Sequence, residues 1–484
     1  MNKSIRYGAV VALLMIAALL VNFTVVQGLR EDEYAQNQHN SRILMDLKRT
    51  NRGDIVAGET VLAQSHRDEE TGFYQRAYPN MPFSFAPIVG FVSDQFGTSQ
   101  LEATHNGDLT GDSGTASRFL RTGLEDGQKG DTVDLTLDPN LQAFSYDQLA
   151  NPGFDGAVVA VRASTGEVLS MASTPSFDPN GIANPATAEG AWAEATGNPG
   201  NPLLNHAAQE QLPPGSIFKI ITTAAGLRNG FTPESPLTGE AQTILPGTDN
   251  IPLTNYGGQA CAGGGQVPLR TAFALSCNTA FVQMGLAMGP DALRDAAARF
   301  GVGERYNLGL PNAAGSLGEL PGGAEVAQSA IGQRDVTMTA LQAAMMSATI
   351  ANKGKRMEPH VVRQVRNADG KVLHETEPVE LNEAVTEQEA ATITDLMFAS
   401  ERWTFGYDGN GFASKTGTAE HAEGAAPHVW YVAFDPAKDV AVAVVVKNGG
   451  NLGEAATGGQ VAGPIGRAVL RAAPAAPAPV EGAE

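Results

Sequence analysis

The stretch PPGSIFKIITTAAGL, residues 213–227, decides how this chain is read. Two prolines and a glycine halt whatever precedes them, and an apolar run with helical character follows. Ser216 stands at the mouth of the helix expected over 217–227, with Lys219 three residues on. An i, i+3 pair shares one helix face, so the lysine amine can reach the serine hydroxyl. A serine hydroxyl is a poor nucleophile until a base takes its proton. A lysine serves as that base only when burial and a second positive charge depress its pKa. The pair therefore calls for another cation.

Two further motifs follow in order: Ser276-Cys-Asn278, then Lys415-Thr-Gly-Thr418 on a strand expected over 411–419. Each alone has a plainer reading. Ser216 is then a helix cap, Asn278 a turn residue and Lys415 a solvated strand charge. Three such motifs, each occurring once, the first opening a helix and the last on a strand, favour catalysis. Lys415 is the candidate second cation, Ser276 a proton relay and Asn278 a hold on a substrate amide. Ser216 N–H and Thr418 N–H are candidate oxyanion donors. Lys415, Thr416, Gly417 and Thr418 would take a terminal carboxylate. No H-E-x-x-H or Cys/His ligand cluster is present, and the chemistry needs neither metal nor cofactor.

Outward from the motifs, 156–161 and 168–172 read as a β-hairpin of buried strands across the turn Ser164-Thr-Gly-Glu167. Helical patterns cover 269–287 and 336–352, strands return at 429–434 and 440–446, and 460–472 reads as a closing helix. Strands at both ends with helices between imply one sheet assembled from distant segments. The fold class is α/β, with an inserted helical lobe and not a doubly wound sheet. Residues 30–150 are polar and turn-rich, read as an extended β-rich pedestal, with alternation at DTVDLTL (131–137) and a boundary at Asn151-Pro-Gly153. The Ala/Pro-rich tail, 473–484, is expected to be disordered.

Residues 7–29, YGAVVALLMIAALLVNFTVVQGL, carry no charge, follow Lys3 and Arg6, and precede Arg30-Glu-Asp-Glu33. At about 1.5 Å per residue they cross roughly 30 Å of hydrocarbon, with 1–6 in the cytoplasm and the remainder outside. A cleaved signal peptide would need a small-residue site near 25–29, which is not there. Outside the membrane the two cysteines, Cys261 and Cys277, are free to pair, or to remain reduced if too far apart. The net charge of −20 argues against nucleic acid as a partner.

The set Ser216-Ile-Phe-Lys219, Ser276-Cys-Asn278 and Lys415-Thr-Gly-Thr418 resembles that of serine penicillin-binding proteins and related β-lactamases. The hairpin 156–176 with Phe177-Asp-Pro-Asn180, the strand Trp430-Tyr-Val-Ala-Phe434 and the segment Arg52-Gly-Asp-Ile55 resemble class B members, closest to the PbpA type of actinobacteria. The resemblance implies a five-stranded antiparallel sheet between helices plus an all-helical lobe over 151–472, on a dimerisation-type pedestal behind one transmembrane helix. It implies a serine D,D-transpeptidase that cross-links peptidoglycan stem peptides, binds β-lactams, and works with a membrane glycan polymerase of division or elongation. Cys277 replaces the aspartate of the β-lactamase motif, and a Cys261–Cys277 disulfide would brace the loop of Ser276 and Asn278. Val56-Ala-Gly-Glu59 departs from the D-R-x-G usual after R-G-x-I. A D,D-carboxypeptidase uses the same residues with water as acceptor, and a non-catalytic β-lactam sensor or scaffold is the reading from another class. No E-x-x-L-N of a class A β-lactamase lies between Asn278 and Lys415. Arg52-Gly-Asp54 is also the tripeptide of cell adhesion, too short to carry that reading.

Overall fold

The computed structural model describes residues 3–28, 48–111, 129–420 and 424–476. Most of the Ala/Pro tail (477–484), the segment 29–47 and part of the Gly/Asp/Ser-rich stretch (112–114) lie outside the described residues.

The larger core is organised around a five-stranded sheet built from β1 (Gly156–Arg162), β2 (Val168–Thr174), β3 (Ala413–Ala419), β4 (His428–Asp435) and β5 (Val440–Val446), in the order β3-β4-β5-β1-β2. Every neighbouring pair is antiparallel. The sequence VAVAVVV of β5 has no polar side because both its faces are covered. Ala441, Ala443 and Val445 enter the main core, while Val440, Val442, Val444 and Val446 enter a second one. Burial of a valine side chain contributes about 1.5–3 kcal/mol, so β5 is a principal anchor of the fold. Five helices position the site: α1 (Lys219–Arg228), α2 (Asn278–Met288), α3 (Ala340–Ala351), α4 (Glu387–Trp403) and α5 (Ala462–Ala472). α3 packs on β5 and β1 from the main-core side, and α5 covers β5 and β4 from the other.

The second sheet has six strands, in the order Val372–Glu375, Val362–Arg366, Thr132–Leu135, Ile55–Ala57, Thr60–Arg67, Tyr74–Ala77. Its outer two strands on one side come from beyond residue 360, so the pedestal sheet is completed by chain lying deep inside 151–472. In the other direction, Pro139–Ala150, read from sequence as part of the pedestal, is a helix packed on β2. The pedestal is also less purely β than expected, since Pro82–Val89, Gln100–Thr104 and Asn106–Thr110 are helical. The two sheets meet where Thr136 N–H donates to Val361 O (3.0 Å), Thr136 Oγ1 donates to Val168 O (2.8 Å) and Val168 N–H donates to His360 O (3.0 Å).

Arg52 is 2% exposed. Its guanidinium donates to Glu102 Oε2 (2.8 Å), whose other oxygen accepts from Arg76 (2.6 Å). An arginine buried against a carboxylate that a second arginine also holds is a structural post, and Arg52-Gly-Asp54 is not displayed for adhesion.

At the N-terminus Lys3–Gly28 is one 26-residue helix with exposed apolar side chains, among them Val10, Leu13, Leu14 and Leu19. Among the described residues no helix is long and apolar enough to cross a membrane.

Candidate active site

Ser216 sits in a tight 3₁₀ turn, Gly215–Phe218, that runs directly into α1. Gly215 has φ +54°, a left-handed value that glycine takes without penalty. Its N–H donates to Gly332 O (2.9 Å), and Trp430 Nε1 donates to Pro213 O (2.9 Å), tying the turn to β4 and to a loop below it. On β3, a Cβ at Gly417 would stand 2.7 Å from Pro214 O and 3.1 Å from Ile217 Cγ2. Only a residue without a side chain lets the Lys-Thr-Gly-Thr strand lie this close to the serine turn.

Lys219 and Lys415 are both buried, 0% and 1% exposed. Lys219 Nζ donates to Ser276 O (2.8 Å), Asn278 Oδ1 (2.8 Å) and Ser276 Oγ (3.3 Å). Lys415 Nζ donates to the same Ser276 Oγ (2.9 Å) and to Thr416 O (3.0 Å). Ring faces close the remaining side, with Phe281 centred 5.2 Å from the Lys219 amine and Phe273 centred 5.9 Å from that of Lys415.

Burial, and then the charge of Lys415, hold the Lys219 pKa well below its usual 10.5. Burial alone brings Lys415 to about 7. Among the described residues no carboxylate holds either value up. Lys219 is thus lowered by burial and by its neighbour and Lys415 by burial alone, which makes Lys219 the candidate neutral amine of the pair.

The helix expected over 269–287 is broken in two, Leu269–Ala274 and α2, and Ser276 occupies the break with φ +59°. Cys277 precedes α2 and is bonded to Cys261, with Cα atoms 5.8 Å apart. Asn278 is turned inward: its Oδ1 accepts from Lys219, and its Nδ2 donates to Thr254 O (3.0 Å).

Ser216, Ser276, Asn278, Thr416, Gly417 and Thr418 all line one cleft of about 880 Å³. The cleft also takes in residues that no motif announced: Tyr256, Trp403, Thr404, Phe405 and Gly458. Behind β3 lies a buried carboxylate, Glu401. It is paired with Arg467 (2.7 Å) and accepts from Tyr431 Oη (3.0 Å) and Ser414 Oγ, the residue before Lys415. Glu401 and Arg467 stand 66 residues apart, and nothing in the local sequence of either signals the other.

Residues 156–471 match the penicillin binding protein transpeptidase domain, and 52–133 match the penicillin binding protein A dimerisation domain. The chain belongs to the penicillin-binding proteins. Within that family it is a class B member of the PbpA type. It is 42% identical over 492 aligned positions to the peptidoglycan D,D-transpeptidase PbpA of Mycolicibacterium smegmatis, covering 98% of this chain and 99% of that protein. The PbpA of Mycobacterium tuberculosis is 40% identical over 491 positions with the same coverage. The penicillin G acyl-enzyme complex of penicillin-binding protein A from M. tuberculosis superposes with a TM-score of 0.82 at 40% identity, over 87% of this chain and 99% of that one. A D,D-transpeptidase domain from Eggerthella lenta, 28% identical, superposes at 0.73 over 87% of this chain and 98% of its own. In this penicillin-binding protein the serine turn, the Ser276 loop and the β3 strand converge on one cleft from three separate parts of the chain.

Proposed function

We propose that this chain is a peptidoglycan D,D-transpeptidase that works through a serine acyl-enzyme and is inhibited by β-lactams. The observation that carries this reading is a hydroxyl, Ser276 Oγ, contacted by two buried lysine amines in the cleft that Ser216 lines. In the proposed cycle Lys219, neutral, takes the proton of Ser216 as Oγ attacks the carbonyl of the penultimate D-Ala. The C–N bond breaks, and the departing D-Ala amine receives a proton relayed through Ser276. An amine of a second stem then attacks the ester, the new amide forms, and Ser216 recovers its proton. Lys415 keeps Lys219 neutral by its charge and, with Thr416 and Thr418, receives the terminal carboxylate. Gly417 gives the strand its close approach. Asn278 acts by fixing the Lys219 amine, a role its inward turn supports better than a direct hold on substrate.

The helix Lys3–Gly28 is proposed as the single membrane anchor, with the N-terminus cytoplasmic and the catalytic unit outside. The uncharged run 7–29 and the exposed apolar side chains support this. A membrane glycan polymerase is the proposed partner. The pedestal unit is proposed to be 48–136 together with 362–375, and the catalytic unit the remainder of 139–472.

A fluorescent penicillin should label the purified chain covalently, and Ser216→Ala should abolish labelling while the thermal unfolding transition persists. Labelling that survives the substitution removes Ser216 as nucleophile. With a pentapeptide donor and an amine acceptor, cross-linked product is expected; free tetrapeptide alone, at every acceptor concentration, would make the enzyme a carboxypeptidase.

A further inference from the structure

β3 is the last strand of its sheet, hydrogen-bonded to β4 on one side and bordering the cleft with Thr416, Gly417 and Thr418. A strand held by one neighbour keeps its register but is free to roll about its own axis. Any roll of β3 moves the Lys415 amine, which meets Ser276 Oγ at 2.9 Å. Something has to set that angle.

Successive side chains on a strand leave by opposite faces. Lys415 shares the face of Ala413 and Ala419, which enter the main core. Ser414 shares the other face with Thr416, whose partner in register is Tyr431 of the second core. Ser414 is fully buried, and its hydroxyl donates to Glu401 Oε2, which also accepts from Tyr431 Oη (3.0 Å). Oε1 of the same carboxylate accepts from Arg467 Nε (2.7 Å) and Asn410 Nδ2 (3.0 Å). One oxygen thus serves the sheet, and the other serves α5 and the loop before β3. Asp408 also acts on Arg467, from the surface, where Arg471 holds it. A carboxylate on which four donors converge is ionised and accepts only. Burial, and then the charge of Glu401, push the Tyr431 pKa well up, so that hydroxyl keeps the proton it donates. Desolvation offsets much of the attraction between Glu401 and Arg467, and an apolar pair would stabilise the fold about as well. An apolar pair would not supply direction.

We infer that Glu401, acting through the Ser414 hydroxyl, is a positioning residue for Lys415, setting the roll of β3 that brings its amine to Ser276. The inference deepens the transpeptidase reading and rests on the roles given there to the two lysines. Ser414 and Lys415 leave one backbone on opposite sides. A roll that lifts the hydroxyl from Glu401 therefore swings the amine away from Ser276. Glu401 itself is 1% exposed and stands across β3 from both lysines.

Ser414→Ala removes the link to β3 and leaves the ion pair intact. Tyr431→Phe takes the link to β4 from the same oxygen and is the control. Both should lower the urea midpoint. In acylation by a chromogenic β-lactam, Ser414→Ala should lower the limiting rate roughly 10- to 100-fold, the scale of a displacement approaching 1 Å. It should also carry the rising limb of the pH profile upward, the direction expected of Lys415→Met. Tyr431→Phe should leave that limb in place. An unmoved limb in Ser414→Ala, or an equal shift in both variants, reduces Glu401 to a structural anchor and overturns the inference. Glu401→Gln, which turns N–H groups toward two of the four donors, should shift the limb as Ser414→Ala does. Adding Ser414→Ala to it should change little more, whereas additive shifts would detach Ser414 from Glu401. The Ser414→Ala and Tyr431→Phe pair decides even where Glu401→Gln does not fold. Crystal structures of that pair read the positioning without the mechanism. The Lys415 amine should leave hydrogen-bond reach of Ser276 Oγ in Ser414→Ala and keep its contact in Tyr431→Phe. A limb that Lys415→Met fails to move refutes the lysine roles and leaves this distance to decide. An unchanged distance in Ser414→Ala rejects the positioning of Lys415 by Glu401.

Discussion

The amine of Lys415 stands 2.9 Å from the hydroxyl of Ser276, and Lys219 donates to that hydroxyl as well, at 3.3 Å. Two ammonium groups cannot share so small a buried space cheaply, so one of them is neutral. The identity of the neutral one sets the direction of catalysis. Lys219 carries the double depression, from burial and from its neighbour, and is the proposed base.

The rate of acylation by a chromogenic β-lactam should therefore follow a bell. It rises as pH climbs through the lowered pKa of Lys219, and falls as Lys415 loses its proton near 7. Lys415→Met should shift the rising limb to higher pH, because the repulsion that lowers the Lys219 pKa is gone. A rising limb that stays put would count against this assignment of roles. Stability runs in a defined direction too. Between about 7 and the usual 10.5 the unfolded chain holds a proton at residue 415 that the folded chain lacks, so stability rises with pH across that window. The difference between the parent chain and Lys415→Met, followed by urea titration, should show it.

Gly417→Ala places a methyl group 2.7 Å from Pro214 O. Either the strand or the serine turn gives way, and displacement near 1 Å at a reacting centre costs on the order of 100-fold. Acylation should fall by that order while the protein stays folded, with a loss of about 1–3 kcal/mol for overpacking. Unaltered kinetics would mean that the close contact between turn and strand is unimportant.

Replacing Cys261 and Cys277 together by serine opens a loop closed over a separation of 16 residues. The loss of closure should cost about 3 kcal/mol in urea unfolding. Acylation should slow as well, because Ser276, next to Cys277, is held in a left-handed conformation that serine does not favour. Stability equal to that of the oxidised parent would show that the bond braces nothing.

Much of this architecture is written in local pattern. The all-valine/alanine run of β5 announces a strand covered on both faces, and the prolines before Ser216 announce a helix start. Motif order by itself groups Ser216, Ser276 and Lys415 as one candidate mechanism. What stayed hidden depends on partners far away in sequence. The strand Val362–Arg366 pairs with Thr132–Leu135 across more than 200 residues, and its own alternation does not say which sheet it joins. The break at Ser276 is invisible to periodicity, which registers apolar spacing and not a single left-handed residue. The inward turn of Asn278 follows from the position of Lys219, which one-dimensional spacing does not supply. Trp403 and Phe405 belong to no recurring motif, and their exposure is visible only once the cleft exists around them.

The borrowed strands of the six-stranded sheet bear on how this molecule can be divided. Because Val362–Arg366 leaves the catalytic unit, pairs with Thr132–Leu135 and then returns, the two units are stitched by backbone at three crossings and not hinged on one linker. A protein cut at residue 151 would leave that strand with bare N–H and C=O groups along one side, an open template for sticking to other chains.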